Sequence, residues 1–184
     1  MCKMKIGKGC KISDKISVYG SDRIEIGDNV RIDDFCILSA GPRGYLKIGS
    51  HIHIAPYCAL FGGSGVVMED FSTFSSRVTC YSESDDYSGE SLVGPIIPKD
   101  FKPVYDEGPI YFGKYASIGA TCVILPGAYL SEGATVGACS LVRVGQKCEP
   151  WGIYAGVPVK FKKSRSKNMI QQADKFLKQW NETK

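Results

Sequence analysis

The chain has two histidines, and they stand two residues apart in Ser50-His51-Ile52-His53-Ile54. A neutral imidazole is the side chain best suited to take a proton near neutrality, an effect worth roughly 10² to 10⁴ in rate. With Ile52 and Ile54 turned inward, period-two alternation predicts both rings on the outer face of one strand. A second polar group lies between about Ser82 and Pro109, which carries Glu83, Asp85, Asp86, Tyr87, Glu90, Asp100, Asp106 and Glu107. Such carboxylates accept hydrogen bonds from hydroxyls or an amine, or orient an imidazole through its second nitrogen. Asp85, Asp86 and Tyr87 are the candidates for substrate contacts. Pro95, Pro98, Pro103 and Pro109, with Tyr87, Phe101 and Tyr105, restrict the segment and predict an ordered arm.

These residues need a scaffold, and a six-residue period supplies it. Apolar residues start hexads at Ile26, Ile32 and Leu38, then Ile48, Ile54 and Leu60, then Met68, Phe74 and Cys80. The series ends with Phe112, Ile118, Ile124, Leu130, Val136 and Val142. The fifth hexad position is small or medium and mostly apolar: Val30, Cys36, Ile52, Cys58, Ser72, Val78, Ala116, Cys122, Ala128, Ala134 and Ser140. Both positions are expected to point inward, on a strand that turns every sixth residue. Three hexads make an eighteen-residue coil. The equivalent positions Ile26, Ile48, Met68, Phe112 and Leu130 are 22, 20, 44 and 18 residues apart, so extra residues follow Leu38, Leu60 and Cys80. Insertions collected on one edge of a solenoid mark its binding side, and the active site is expected beside that edge.

Composition sets the frame. The 184 residues carry a net charge of +4, but residues 160 to 184 hold eight Lys or Arg against Asp174 and Glu182, a local +6 that leaves about −2 for the rest. Basicity confined to a short tail without an aromatic platform argues against nucleic-acid binding. No run of eighteen apolar residues suggests an integral membrane segment, and the start lacks a secretory stretch, so a cytoplasmic location is expected. Eight cysteines form no C-x-x-C pair. The repeat accounts for Cys36, Cys58 and Cys122, with Cys10 in the same slot and Cys80 at a hexad start, as small packing residues. Met169, Ile170, Ala173, Phe176, Leu177 and Trp180 recur at helical spacing and predict a C-terminal amphipathic helix over 164–184, packed on the solenoid or on a neighbouring subunit, or lying on a membrane surface.

Over residues 20 to 163 the hexads resemble the hexapeptide-repeat acyltransferases, and Trp151-Gly-Ile-Tyr-Ala-Gly-Val-Pro-Val-Lys160 is similar to the segment that closes maltose- and galactoside-type acetyltransferases. The resemblance implies an all-β fold, a left-handed parallel β-helix (1–163) with the long inserted loop and a C-terminal α-helix, usually a homotrimer. It implies an acetyl-CoA-dependent enzyme that acylates a hydroxyl or amine of a sugar or nucleotide-linked sugar, in surface polysaccharide biosynthesis. Serine or another small amino acid is the alternative acceptor, and a non-catalytic scaffold the alternative role. The stretch His53-Ile-Ala-Pro-Tyr-Cys58 is similar to a histidine-bearing stretch in the sugar N-acetyltransferase branch, which favours His53 over His51 as general base. Some relatives carry their base where this chain has Thr79–Ser88, which contains no histidine. By the same resemblance, backbone at Ala120 and Ala138 flanks the pantetheine, Val142 and Arg143 replace a frequent Thr-Lys, and Lys160 follows the Gly-Val-Pro turn, with Lys162, Lys163 and Arg165 as further candidates for the CoA phosphates. Backbone N–H groups of Gly62-Gly63-Ser64-Gly65 are candidates for an oxyanion hole. The γ-type carbonic anhydrases share the repeat but bind zinc through three histidines; two cannot supply three positions, and no catalytic metal is expected.

Overall fold

The structure is a computed structural model and describes residues 4–182. Short parallel strands wind into a three-faced prism, each turn adding one strand to each face. The first face stacks Lys5–Ile6, Ile24–Ile26, Leu46–Ile48, Val66–Met68, Ile110–Phe112, Tyr129–Leu130 and Lys147–Cys148. The second stacks Lys11–Ile12, Arg31–Ile32, His53–Ile54, Thr73–Phe74, Ser117–Ile118, Thr135–Val136 and Gly152–Ala155. The third stacks Ser17–Tyr19, Ile37–Ser39, Ala59–Phe61, Thr79–Tyr81, Val123–Ile124 and Leu141–Val142. The expected hexapeptide solenoid is therefore present, and its register follows the hexads: Ile26 lies on Ile48, Ile48 on Met68, and Met68 on Phe112.

The core is the inside of the prism. Every hexad-start and fifth-position residue named above is buried except Cys10 in the first coil, which is half-buried. The interior cysteines are unpaired packing residues, and Cys148, six residues after Val142, continues their logic. Each interior layer is enclosed by its neighbours above and below, so truncating one such residue, Leu60 for example, costs about 2–5 kcal/mol.

The corners carry non-glycine residues with positive φ, among them Asn29, Phe35, His51, Tyr57, Phe71, Arg77, Tyr115, Thr121, Cys139 and Trp151. A left-handed residue with a Cβ costs roughly 1–2 kcal/mol. Two interactions offset that cost. Corner N–H groups reach the turn before, as in His51 N to Asp28 O (2.9 Å), Phe71 N to Ser50 O (3.0 Å) and Trp151 N to Glu132 O (2.9 Å). Corner side chains also stack: His51 on Phe71 (4.8 Å between centroids) and Phe71 on Tyr115 (5.5 Å). Gly133 interrupts this column, and Trp151 leans over it towards Tyr115; a Cβ on Gly133 would collide with the indole.

The C-terminal helix, α1, spans Met169–Glu182 and lies against this first-to-second corner. Ala173 is buried with Tyr115 and Trp151, and Phe176 and Trp180 meet His51 edge-on. The apolar stripe thus packs on the solenoid, and the membrane-surface reading is corrected: that face is already occupied. The helix begins later than expected, because Lys160–Ser164 forms a strand that returns antiparallel along Gly152–Ala155. Arg165 then pins the connection, donating from Nη1 to Tyr115 O (2.8 Å) and Gly133 O (3.0 Å).

Candidate active site

His53 projects from the second face, between Arg31 and Thr73 in the neighbouring turns. Its Nε2 lies 2.7 Å from Asp33 Oδ2, and Arg31 Nε donates to the other carboxylate oxygen at 2.6 Å. The Asp33 side chain is 17% exposed and the His53 side chain 46%. Burial works to raise the Asp33 pKa, but the hydrogen bonds from His53 and Arg31 outweigh it and hold the carboxyl below the ordinary range. Asp33 is thus an anion that fixes the ring by one nitrogen and leaves Nδ1 as the acceptor. Sequence reasoning missed Asp33. The signal existed: the register sets Arg31 beside His53, and period two carries the same outer face on to residue 33.

The expectation that both histidines share a strand face is corrected. His51 sits at the corner with φ 60°, where the chain turns before the strand His53–Ile54 begins. Its Nδ1 accepts from Asn29 Nδ2 at 2.9 Å and its ring lies in the aromatic column under α1. A shallow hollow of about 390 Å³, lined by Arg31, His51, His53 and Phe176 among others, connects the two rings.

From the second-to-third corner upwards, backbone hydrogen bonds join one column of positions. Cys139 N donates to Ala120 O (2.8 Å), Thr121 N to Ser76 O (3.0 Å), Arg77 N to Pro56 O (3.1 Å) and Tyr57 N to Asp34 O (3.1 Å). Ala120 and Ala138 thus stand in adjacent turns near the C-terminal end of this edge, half-buried and exposed respectively. Arg143 and Lys160 are exposed near the same end. Val142 is not: it is a hexad start whose side chain fills the prism, and the residue is fully buried. Along the side towards this edge, the second face presents Ser75, Gly119, Gly137 and Ala155, a smooth strip on which an extended chain can lie.

The arm leaves from the third-to-first corner, as the insertion arithmetic required. It opens with the hairpin Glu83–Asp85 and Tyr105–Glu107 and contains a short 3-10 turn at Lys99–Phe101. Asp85 and Asp86 serve the arm itself. Asp85 accepts from Lys102 Nζ (2.7 Å) and Gly94 N (2.8 Å), and those bonds, Lys102 first, hold its carboxyl low. Asp86 accepts from the N–H groups of Ser88, Glu90 and Ser91 and from Ser88 Oγ. Tyr87, 95% exposed, is the member of the trio left open. The Gly62–Gly65 turn does not offer the expected cluster of donors: the N–H groups of Gly62, Ser64 and Gly65 go to Ser39 O, Ser82 Oγ and Gly62 O.

One geometric fact reorganises the expected site. In a three-faced prism the third-to-first corner lies opposite the second face. Within one chain the arm and His53 are therefore on opposite sides, and Asp85, Asp86 and Tyr87 do not join His53. Among the described residues no three His, Cys, Asp or Glu side chains come together as a metal-ligand set, and no helix is long and apolar enough to cross a membrane.

Together these features define a hexapeptide-repeat β-helix whose polar chemistry is carried on its outside. No protein-family model matches the chain. It is 40% identical over 171 residues, 93% of this chain and 87% of the relative, to the dTDP-4-amino-4,6-dideoxy-D-glucose acyltransferase of Escherichia coli. It is 30% identical over 138 residues to a probable macrolide acetyltransferase of Lysinibacillus sphaericus, covering 74% of this chain and 73% of that one. Its fold matches AntD, an N-acyltransferase from Bacillus cereus solved with dTDP and 3-hydroxybutyryl-CoA, at TM-score 0.90 and 42% identity over 98% of this chain and 93% of that one. A serine-to-alanine variant of AntD holds dTDP-4-amino-4,6-dideoxyglucose and coenzyme A. The chain belongs to the family of these hexapeptide-repeat nucleotide-sugar acyltransferases, enzymes that take acyl-CoA as co-substrate.

Proposed function

We propose that the protein transfers the acyl group of an acyl-CoA to the 4-amino group of a dTDP-linked 4-amino-4,6-dideoxy sugar, with His53 as the proton acceptor. The observation that carries the reading is the match to AntD, at 42% identity over 98% of this chain. The amine nitrogen attacks the thioester carbonyl, the C–N bond forms, and the C–S bond breaks. His53 Nδ1 takes the proton from the amine nitrogen and passes it to the departing CoA sulfur, while Asp33 stabilises the imidazolium in between. His51, closed into the aromatic column, is the weaker candidate.

The CoA chain follows the second-to-third edge, past Ala138 and Ala120, with Arg143 and Lys160 near its phosphates. The arm of a neighbouring copy brings Tyr87, the open member of the Asp85, Asp86 and Tyr87 trio, to the acceptor, in a homotrimer. A soluble cytoplasmic enzyme with these substrates makes a nucleotide-activated N-acyl sugar, a building block suited to surface polysaccharide. The test is a screen of acetyl-CoA and 3-hydroxybutyryl-CoA against dTDP-amino sugars, simple sugars and serine, following thiol release. Turnover confined to serine, or none with any dTDP-amino sugar, refutes the proposal.

A further inference from the structure

The second-to-third edge carries a stack that the reaction above does not use. Lys15, Phe35, Tyr57 and Arg77 succeed one another along it: Lys15 Nζ lies 5.7 Å from the Phe35 centroid, Phe35 and Tyr57 stack at 5.1 Å, and the Arg77 guanidinium sits 4.9 Å above Tyr57. Both rings are half exposed at their edges, but their faces are covered, so no further ring can stack between them. What the stack leaves open is its upper end. Most of the chain's other arginines are engaged: Arg31 by Asp33, Arg43 by Glu83 and Glu107, Arg23 by Asp22, and Arg165 by two backbone carbonyls. Arg77 is exposed, and among the described residues no carboxylate pairs with it.

A guanidinium laid flat on an aromatic ring loses part of its rotational freedom in advance and keeps its N–H edge for a planar, bidentate bond to a phosphate. Its position selects which phosphate. Arg77 is one turn, about 4.8 Å, from Ala120 and Thr121, on the side away from the exposed cations Arg143 and Lys160. The same column runs from Arg77 to the turn that carries both Tyr57 and His53. A diphosphate belonging to the donor would sit at the Arg143 end, whereas one belonging to the acceptor must lie near the acyl carbonyl, on the His53 side. We infer that Arg77, held by Tyr57, binds the diphosphate of the nucleotide-sugar acceptor and so sets the requirement for a nucleotide-linked rather than a free sugar. The inference rests on the acceptor class proposed above.

The experiment compares the wild-type enzyme with Arg77→Met, which keeps the stem on Tyr57 and removes the charge, and with Arg77→Lys, which keeps the charge without the fork. Calorimetric titration with dTDP and, separately, with CoA is combined with steady-state kinetics on a dTDP-amino sugar. In Arg77→Met the Kd for dTDP and the KM for the nucleotide sugar rise about 10- to 100-fold, the loss of a bidentate charge-assisted contact, with kcat and CoA affinity retained. Arg77→Lys falls between, and its partial loss decides the matter should the methionine variant not fold. Unchanged dTDP affinity in a folded variant overturns the inference while the acceptor class stands. Loss of CoA affinity instead overturns it by assigning the residue to the donor. Failure of the wild type to bind dTDP removes the acceptor class itself, and the inference with it.

Discussion

Replacing Asp33 by Asn keeps the volume beside His53 and removes the negative charge. The carboxylate lies 2.7 Å from Nε2 and only 17% of its side chain is exposed, so its effect on an imidazolium is weakly screened by water. A hydrogen bond to a charged partner in such a setting is worth about 1.5–3 kcal/mol, which is a factor of roughly 10 to 100 in kcat if the proton rests on His53 during the reaction. His53→Ala removes the acceptor altogether and is expected to lower kcat by at least about 100-fold, with acyl-CoA binding intact. The two changes act on one unit, so the double variant should be no slower than His53→Ala alone. The assay is thiol release from acyl-CoA at saturating dTDP-amino sugar, with CoA affinity measured by calorimetry. Wild-type turnover in His53→Ala refutes the assignment, and multiplicative losses in the double variant refute the coupling while leaving each residue its own role.

Three further outcomes concern the scaffold. Gly133→Ala should cost about 2–4 kcal/mol, because the new Cβ meets the Trp151 ring as well as an unfavourable φ. Gly145→Ala, with a similar φ and open space around it, should cost only about 1 kcal/mol; equal urea midpoints would contradict the role given to the Trp151 overlap. Arg165→Met leaves the carbonyls of Tyr115 and Gly133 without their donor and should lower Tm by about 2–4 °C per kcal/mol lost, with α1 the first segment to exchange its amide hydrogens. The arm should loosen in acid. Asp85 has its pKa depressed in the folded state, so its contribution is full above the ordinary carboxylate value of about 4 and is lost as pH falls through the lower folded value; protease cleavage within 86–101 that began near pH 6 would contradict this.

What the sequence displayed most clearly was the periodic part. A hexad position is legible because each turn repeats the same inward demand, so Ile26, Ile48, Met68 and Phe112 announce one column before any coordinate is known. The length excesses after Leu38, Leu60 and Cys80 likewise identified the edge from which the arm leaves. The site was less legible, since it depends on side chains that meet across turns of unequal length. Asp33 and His53 become neighbours only after the register is fixed, and Arg77 reaches Tyr57 by the same route. His51 was misplaced because strand alternation was carried into a corner, where the backbone changes to the left-handed region and redirects the side chain. Asp85 and Asp86 showed their charge but not their use, which the fold of the arm decides.

The opposition of arm and histidine also bears on how a complete site is assembled. The prism cannot bend its third-to-first corner round to its second face, because that would break the parallel ladders on all three sides. Yet the arm exposes Tyr87, Leu92, Val93, Ile96 and Phe101, an apolar surface too rich to be left to water without purpose. Both observations are met at once if the arm of one copy crosses to the second face of the next. Rotational closure then gives each His53 an arm from a neighbour, and three faces per prism leave room for that arrangement without blocking the corner covered by α1. In that arrangement the long insertion would reach a site that one rigid solenoid cannot complete, because its opposite sides meet only through a second chain.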